Sequence, residues 1–160
     1  MADLLANGMV KVTWVPTIAN ISAPTVAELT AGTDLQCLIT ADGLNITGET
    51  ASVDNTALCS DNDTTDAGSV SYSIELTCKR KDSTVEDVAW TTLIYRALGY
   101  LVVRRNAPQA DAYAANDDVE VYSARCGEPI MNPPERNTPQ TFVVTLFNHS
   151  SVDTRAVVAA

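Results

Sequence analysis

Asp61, Asp63 and Asp66 form the tightest group of potential metal ligands in the chain, and their spacing begins as a calcium-binding loop does. Such a loop needs a sharp-turn Gly and then a bidentate Glu, whereas Ala67 and Gly68 follow here and Tyr72 holds the twelfth position. The segment reads as an acidic, solvated turn, and neither a metal nor another cofactor is expected. The single histidine, His149, precedes Ser150 and Ser151, but no G-x-S-x-G elbow or positioned Cys accompanies it. Hydrolysis needs base, orienter and oxyanion site together, so no nucleophilic triad is expected. Asp117 and Asp118 are adjacent, and in an extended strand they point to opposite faces, where they cannot share a proton or a metal. These residues assemble no active site, and no enzymatic activity is expected.

The charged and sulfur-bearing residues add limits of their own. Ten Lys and Arg stand against twenty Asp and Glu, a formal net charge of -10 over 160 residues. A protein that grips nucleic acid places cations on phosphates, and the small clusters Lys79-Arg80-Lys81 and Arg104-Arg105 are too few for that. They are expected to pair with acidic neighbouring subunits. Cys37, Cys59, Cys78 and Cys126 include no C-x-x-C pair, which fits neither a zinc ribbon nor a dense disulfide framework. Cys37 and Cys78 are expected to be buried, and Cys59, beside the acidic turn, to be the most reactive.

A hydrophobic content of 46% and a length of 160 residues suit one packed domain spanning 1–160. Asp3 stands where a secretory signal would carry Lys or Arg, and the longest apolar stretch is broken by Arg96, Gly99 and Arg104, so neither export nor a membrane partner is expected. Val70, Tyr72, Ile74, Leu76 and Cys78 alternate with Ser71, Ser73, Glu75, Thr77 and Lys79, the period of a half-buried strand. The same period marks Val10 to Trp14, Leu35 to Ile39 and Phe142 to Leu146, while Val119 to Cys126 changes phase as at a bulge. Further strands are expected at 44–54, 100–105 and 154–158, giving a mainly β, antiparallel chain. Ser83-Thr84-Val85-Glu86 matches a capping box and predicts a helix over about 84–98, with Trp90, Leu93, Ile94, Ala97 and Leu98 on one stripe and Gly99 as terminator. Pro24 and Gly32 bracket a shorter helix over about 24–31. Loops at about 56–69 and 127–140 are long for a compact domain. Asp61, Asp63 and Asp66 in the first, with Pro129, Pro133 and Pro134 in the second, are therefore candidate inter-subunit contacts.

The opening Gly8-Met9-Val10-Lys11-Val12-Thr13-Trp14-Val15-Pro16, then Ala23-Pro24-Thr25-Val26-Ala27-Glu28-Leu29, and later Gly99-Tyr100-Leu101-Val102-Val103-Arg104-Arg105 and Gly127-Glu128-Pro129, resemble the major tail tube proteins of long-tailed, non-contractile phages of actinobacteria. The resemblance implies a β-sandwich or barrel flanked by a helix, assembled as hexameric rings that stack into a tube for DNA. It also implies a virion location after assembly in the host cytoplasm. The partners implied are further copies of the chain, other tail proteins such as tape measure and terminator, and double-stranded DNA passing without tight binding. Ser71, Ser73, Glu75 and Thr77 form the candidate lumen face, the alternative being an ordinary solvated surface. Two other readings stay open: a single-ring tail terminator or head–tail joining protein, and a ligand-binding β-sandwich. The second would use Trp14, Trp90, Tyr95, Tyr100 or Tyr113 as aromatic platforms. Periodicity places Trp14 and Trp90 on apolar faces, leaving Tyr113 as the best exposed aromatic.

Overall fold

The computed structural model describes residues 2–160. Nine strands carry the fold: β1 (Lys11–Val15), β2 (Thr33–Asp34), β3 (Ile39–Asp54), β4 (Thr65–Lys79), β5 (Leu98–Arg104), β6 (Asp118–Cys126), β7 (Ile130–Met131), β8 (Thr141–Phe147) and β9 (Val152–Val157). Two short helices, α1 (Val26–Thr30) and α2 (Val88–Thr92), complete it. The strand order is β2-β1-β5-β6-β8-β4-β3, and these neighbours pair antiparallel. The sheet turns over at β6. Its first residues take β9 as partner, Asp118 opposite Val157, while its last two, Arg125 and Cys126, take β8. β7 continues that edge alongside β8.

Folding over at β6 sets two leaves face to face, as expected of a β-sandwich. Val12, Trp14, Leu101, Val103, Tyr122 and Ala124 from one leaf pack with Ile74, Leu76, Phe142, Val144 and Leu146 from the other. A second core lies behind β1, β5 and β6, where Val15, Val102 and Val121 meet Leu29 of α1, Tyr113 and Val158. The central strands are therefore covered on both sides, and all five residues of β1 are buried. Strands of this kind lose strict alternation in sequence. That accounts for the phase change in β6. Its pairing with β5 runs without interruption from Leu98–Arg125 to Val103–Glu120. Val119 and Val121 fill the second core, and Tyr122, Ala124 and Cys126 the first. An irregularity of register does occur at Val119/Val121, but against β9.

The expected helix over 84–98 is not formed. Ser83 and Glu86 make only a backbone turn, and α2 starts at Val88 from an N-cap, Asp87, that makes no side-chain cap bond. The Asp87 carboxylate is engaged elsewhere: it accepts from Arg80 Nε at 2.6 Å and from the Lys81 amide at 3.2 Å. Leu93 leaves helical geometry, Arg96 has a φ of 64°, and Ile94 and Leu98 are exposed. Gly99 terminates no helix; it lies in β5, where a Cβ would sit 2.7 Å from the Trp14 ring. The capping box is at α1 instead. Thr25 Oγ1 accepts from the Glu28 amide at 3.2 Å, and Glu28 accepts from the Thr25 amide at 2.9 Å and from the Ala19 amide at 3.0 Å.

Two smaller expectations also fail. Leu35 to Leu38 form a turn in which Leu38 and Ile39 both donate to the Leu35 carbonyl. The turn points Leu35, Leu38 and Ile39 inward and leaves Cys37 exposed, as Cys59 is, whereas Cys78 and Cys126 are buried. Tyr113 is buried in the second core.

Candidate functional site

β3 and β4 form one long hairpin, paired from Ile39–Cys78 to Asp54–Thr65. Near the body its inward side chains, Leu44, Ile46, Ile74 and Leu76, join the first core. Beyond Ile46 the ribbon leaves the protein: within 47–73 only Thr56, Gly68 and Tyr72 are even partly buried. The step from Ile46 to Asp54 projects it by about 26 Å at the usual strand rise. A two-stranded ribbon exposed on both faces is at best marginally stable in water.

The expected loop over 56–69 is thus shorter, because β4 already begins at Thr65. Its turn is tied by Asn55 donating to the Thr64 carbonyl at 3.1 Å and Thr64 donating to Thr56 Oγ1 at 2.8 Å. Asp54 accepts from the Thr56 amide at 2.9 Å, which holds its carboxyl below the ordinary value. Asp61 and Asp63 lie in the turn, and Asp66 lies on β4 opposite Val53. Leu58, also in the turn, is fully exposed. Residues 47–73 contain Glu49, Asp54, Asp61, Asp63 and Asp66 but no Lys or Arg. Among the described residues no three His, Cys, Asp or Glu converge as a metal site.

Ser71, Ser73, Glu75 and Thr77 share the outward face of β4, the first three exposed and Thr77 half-buried. The pairing extends this face to Thr47 opposite Ser73, Asn45 and Thr145 beside Glu75, and Val143 beside Thr77. Its border is apolar, which alternation within β4 alone could not show. Phe147 stands opposite both Ser73 and Arg125, Leu98 opposite Arg125, and Ile130 opposite Val143. Phe147, Leu98 and Ile130 are all exposed.

The segment 127–140 is not a free loop, since β7 within it pairs with β8. Pro129 is half-buried, and Pro133 and Pro134 are exposed. Thr40, Lys79, Asn132, Pro133, Glu135 and Thr138 line a groove of about 400 Å³ at this end. The acidic turn and the proline-rich segment stand at opposite ends of β4, about 46 Å apart along the strand. One copy does not bring the two candidate contacts together.

Of the basic pair 104–105, only Arg105 is exposed. Arg104 is 1% exposed. It donates to the carbonyls of Pro108, Asp111 and Ala112 and to Asp117 Oδ2 at 2.8–3.1 Å, clamping the loop that leads into β6. Arg105 pairs with Glu120 at 2.9 Å. Tyr113 packs under Arg104 and shares a 2.8 Å hydrogen bond with Thr13; burial pushes its phenol up to about 12. Burial likewise pushes the thiols of Cys78 and Cys126 up to about 12, so neither is a nucleophile. His149 is exposed beside the Tyr100 ring. Of the aromatic platforms, Trp14 and Tyr113 are core residues and Trp90 lies beneath Arg80. Tyr95 is the exposed one of that set.

The family model for phage tail tube proteins matches residues 1–160. The chain belongs to the phage tail tube protein family. Tail tube proteins are structural, and membership makes this one a component of the virion tail. The fold is also similar to a chain in the six-fold symmetrised cryo-EM structure of the anti-feeding prophage baseplate. The TM-score is 0.54, the identity is 12%, and the match covers 96% of each chain. No curated protein matches the sequence.

Proposed function

We propose that copies of this chain associate as hexameric rings that stack into the tube of a long, non-contractile phage tail, through which DNA passes with no reaction catalysed. The observation that carries this reading is the arm over 47–73, a ribbon with almost no burial of its own. A partner surface would supply what the single copy lacks. β3 also ends the strand order, so its outer edge presents unpaired backbone groups along the strand. Pairing that edge with a neighbour would close the sheet and remove the liability of an open edge. The baseplate of similar fold is six-fold symmetrised, which supports six copies per ring.

The face of Ser71, Ser73, Glu75 and Thr77 suits a lumen. It carries hydroxyls and a carboxylate, which do not hold a polyanion as cations would. Tape measure and terminator proteins are the further partners this reading names, with assembly in the host cytoplasm.

The test is negative-stain microscopy with sedimentation of the purified chain at rising concentration. Tubes of uniform width are the expected result. Discrete single rings under all conditions would assign the chain to tail termination or head–tail joining instead, and a strictly monomeric profile would overturn self-assembly.

A further inference from the structure

Asn7 is the only asparagine in the chain that is followed by a glycine, Gly8. Both residues are exposed, at a turn in which the Met9 amide donates to the Ala6 carbonyl at 3.1 Å. Gly8 has a φ of 69°, and a Cβ placed on it would meet nothing within 4 Å. Among the described residues the Gly8 amide donates to no backbone carbonyl, so its nitrogen is free to approach the side chain that precedes it. A turn this exposed opens locally at little cost. Asp42-Gly43, the one aspartate–glycine pair, is the contrast. Gly43 is buried in β3, where a Cβ would collide with Thr40 Oγ1 and the Thr77 carbonyl, and the Asp42 carboxylate accepts from Thr40 Oγ1 at 3.2 Å. There the side chain is held and the backbone is walled in.

We propose that Asn7-Gly8 is a site of spontaneous covalent modification, at which Asn7 converts to aspartate and isoaspartate. The Gly8 amide nitrogen attacks Asn7 Cγ. The N–Cγ bond forms, the Cγ–Nδ2 bond breaks, and the Gly8 amide proton passes through water to the departing nitrogen, which leaves as ammonia. Glycine lets this ring close, because it lacks the Cβ that would crowd the attack and turns freely about φ. Water then opens the cyclic imide at either carbonyl. Breaking the new N–Cγ bond gives aspartate, whereas breaking the original peptide bond gives isoaspartate, whose main chain runs through Cβ and Cγ and is longer. Either product adds a carboxylate to residues 2–10, where Asp3 is the only charged side chain. Isoaspartate does more. The Gly8 carbonyl accepts from the Gln109 amide at 2.8 Å, and Gln109 Oε1 accepts from Gln36 Nε2 at 3.3 Å. A lengthened chain slackens this tie between the opening segment and the loop that leads into β6. None of this depends on the tail-tube reading.

The experiment ages folded wild type, folded Asn7→Gln and guanidinium-unfolded wild type side by side in buffer. Tryptic and chymotryptic peptides are separated by chromatography and weighed by mass spectrometry, enzymatic methylation marks isoaspartate, and hydrogen exchange reads the Gln109 amide. Folded wild type is expected to deamidate at Asn7 at least about tenfold faster than at the exposed Asn62 and Asn106, each followed by a residue with a Cβ. Asp42 should isomerise only in guanidinium. The aged protein should exchange the Gln109 amide several-fold faster. Asn7→Gln, whose longer side chain closes such a ring far more slowly, should lose both the isoaspartate at this position and the faster exchange. Deamidation at Asn7 no faster than at Asn62 and Asn106, or many-fold slower in the folded chain than in guanidinium, would overturn the site. An unchanged Gln109 amide in protein rich in isoaspartate would overturn the slackening.

Discussion

The middle of the sandwich and the arm are built from the same kind of strand, yet they reach stability by opposite routes. β1 and β5 are enclosed between two cores, with Val12 and Leu101 facing one and Val15 and Val102 the other. The arm, by contrast, continues β3 and β4 past Ile46 with side chains such as Val53 and Val70 about half exposed. Burial of a large aliphatic side chain contributes about 1.5–3 kcal/mol, so the enclosed strands stabilise themselves. The arm contributes little until another surface covers it. One chain thus divides into a part enclosed by its own packing and a part left largely uncovered.

Substitutions in the middle should break this contrast most sharply. Arg104→Ala leaves the Asp117 carboxylate and three carbonyls without their shared donor, and losing one partner of a buried ion pair costs about 3–5 kcal/mol. Thermal unfolding should show a midpoint many degrees lower, or an insoluble product. Leu76→Ala, in the first core, should cost about 2–5 kcal/mol by denaturant titration, whereas Leu58→Ala should change monomer stability by less than about 0.5 kcal/mol while weakening assembly. Equal effects of the two leucines on the monomer would erase the distinction between body and arm.

Smaller effects sharpen it. Thr25→Ala removes the true helix cap and should cost about 0.5–2 kcal/mol, while Ser83→Ala, whose side chain caps nothing, should leave the midpoint within experimental scatter. Native alkylation followed by mass spectrometry should label Cys37 and Cys59 first and reach Cys78 and Cys126 only after unfolding. The least change concerns pH. Glu28 is held below its ordinary 4.5 chiefly by the Thr25 amide, so its contribution is present above that value. It is lost as pH falls through the lower folded value. Glu28→Gln should flatten the acid limb of the stability curve slightly.

Much of this architecture can be read from alternation, and the misreadings share a physical origin. Strands with one wet face, such as β4 and β8, show their period openly in Ile74, Leu76, Phe142 and Val144. Strands covered twice do not, so β6 looked bulged, and Arg104, placed on a wholly enclosed surface, looked like a free cation. Local signatures failed where tertiary partners competed. Ser83 and Glu86 match a capping box as well as Thr25 and Glu28 do, but Arg80 draws Asp87 and so sets where α2 begins. Cys37 looked apolar in phase because a tight turn and a strand can both follow Leu35. The candidate lumen face was legible in β4, but its apolar border of Phe147, Leu98 and Ile130 depends on pairing across strands distant in sequence.

The arm's lack of cations has a consequence for proteolysis. From Val12 to Cys78 the sequence has no Lys or Arg, so a trypsin-like protease finds no cleavage site anywhere in the exposed ribbon. This exposed stretch of backbone is therefore invisible to one major class of protease, whether or not a neighbour shields it. A chymotrypsin-like enzyme reads the same segment differently. Leu58 is a suitable residue in an exposed turn, and the rate of cutting after it would report whether the turn is open or covered.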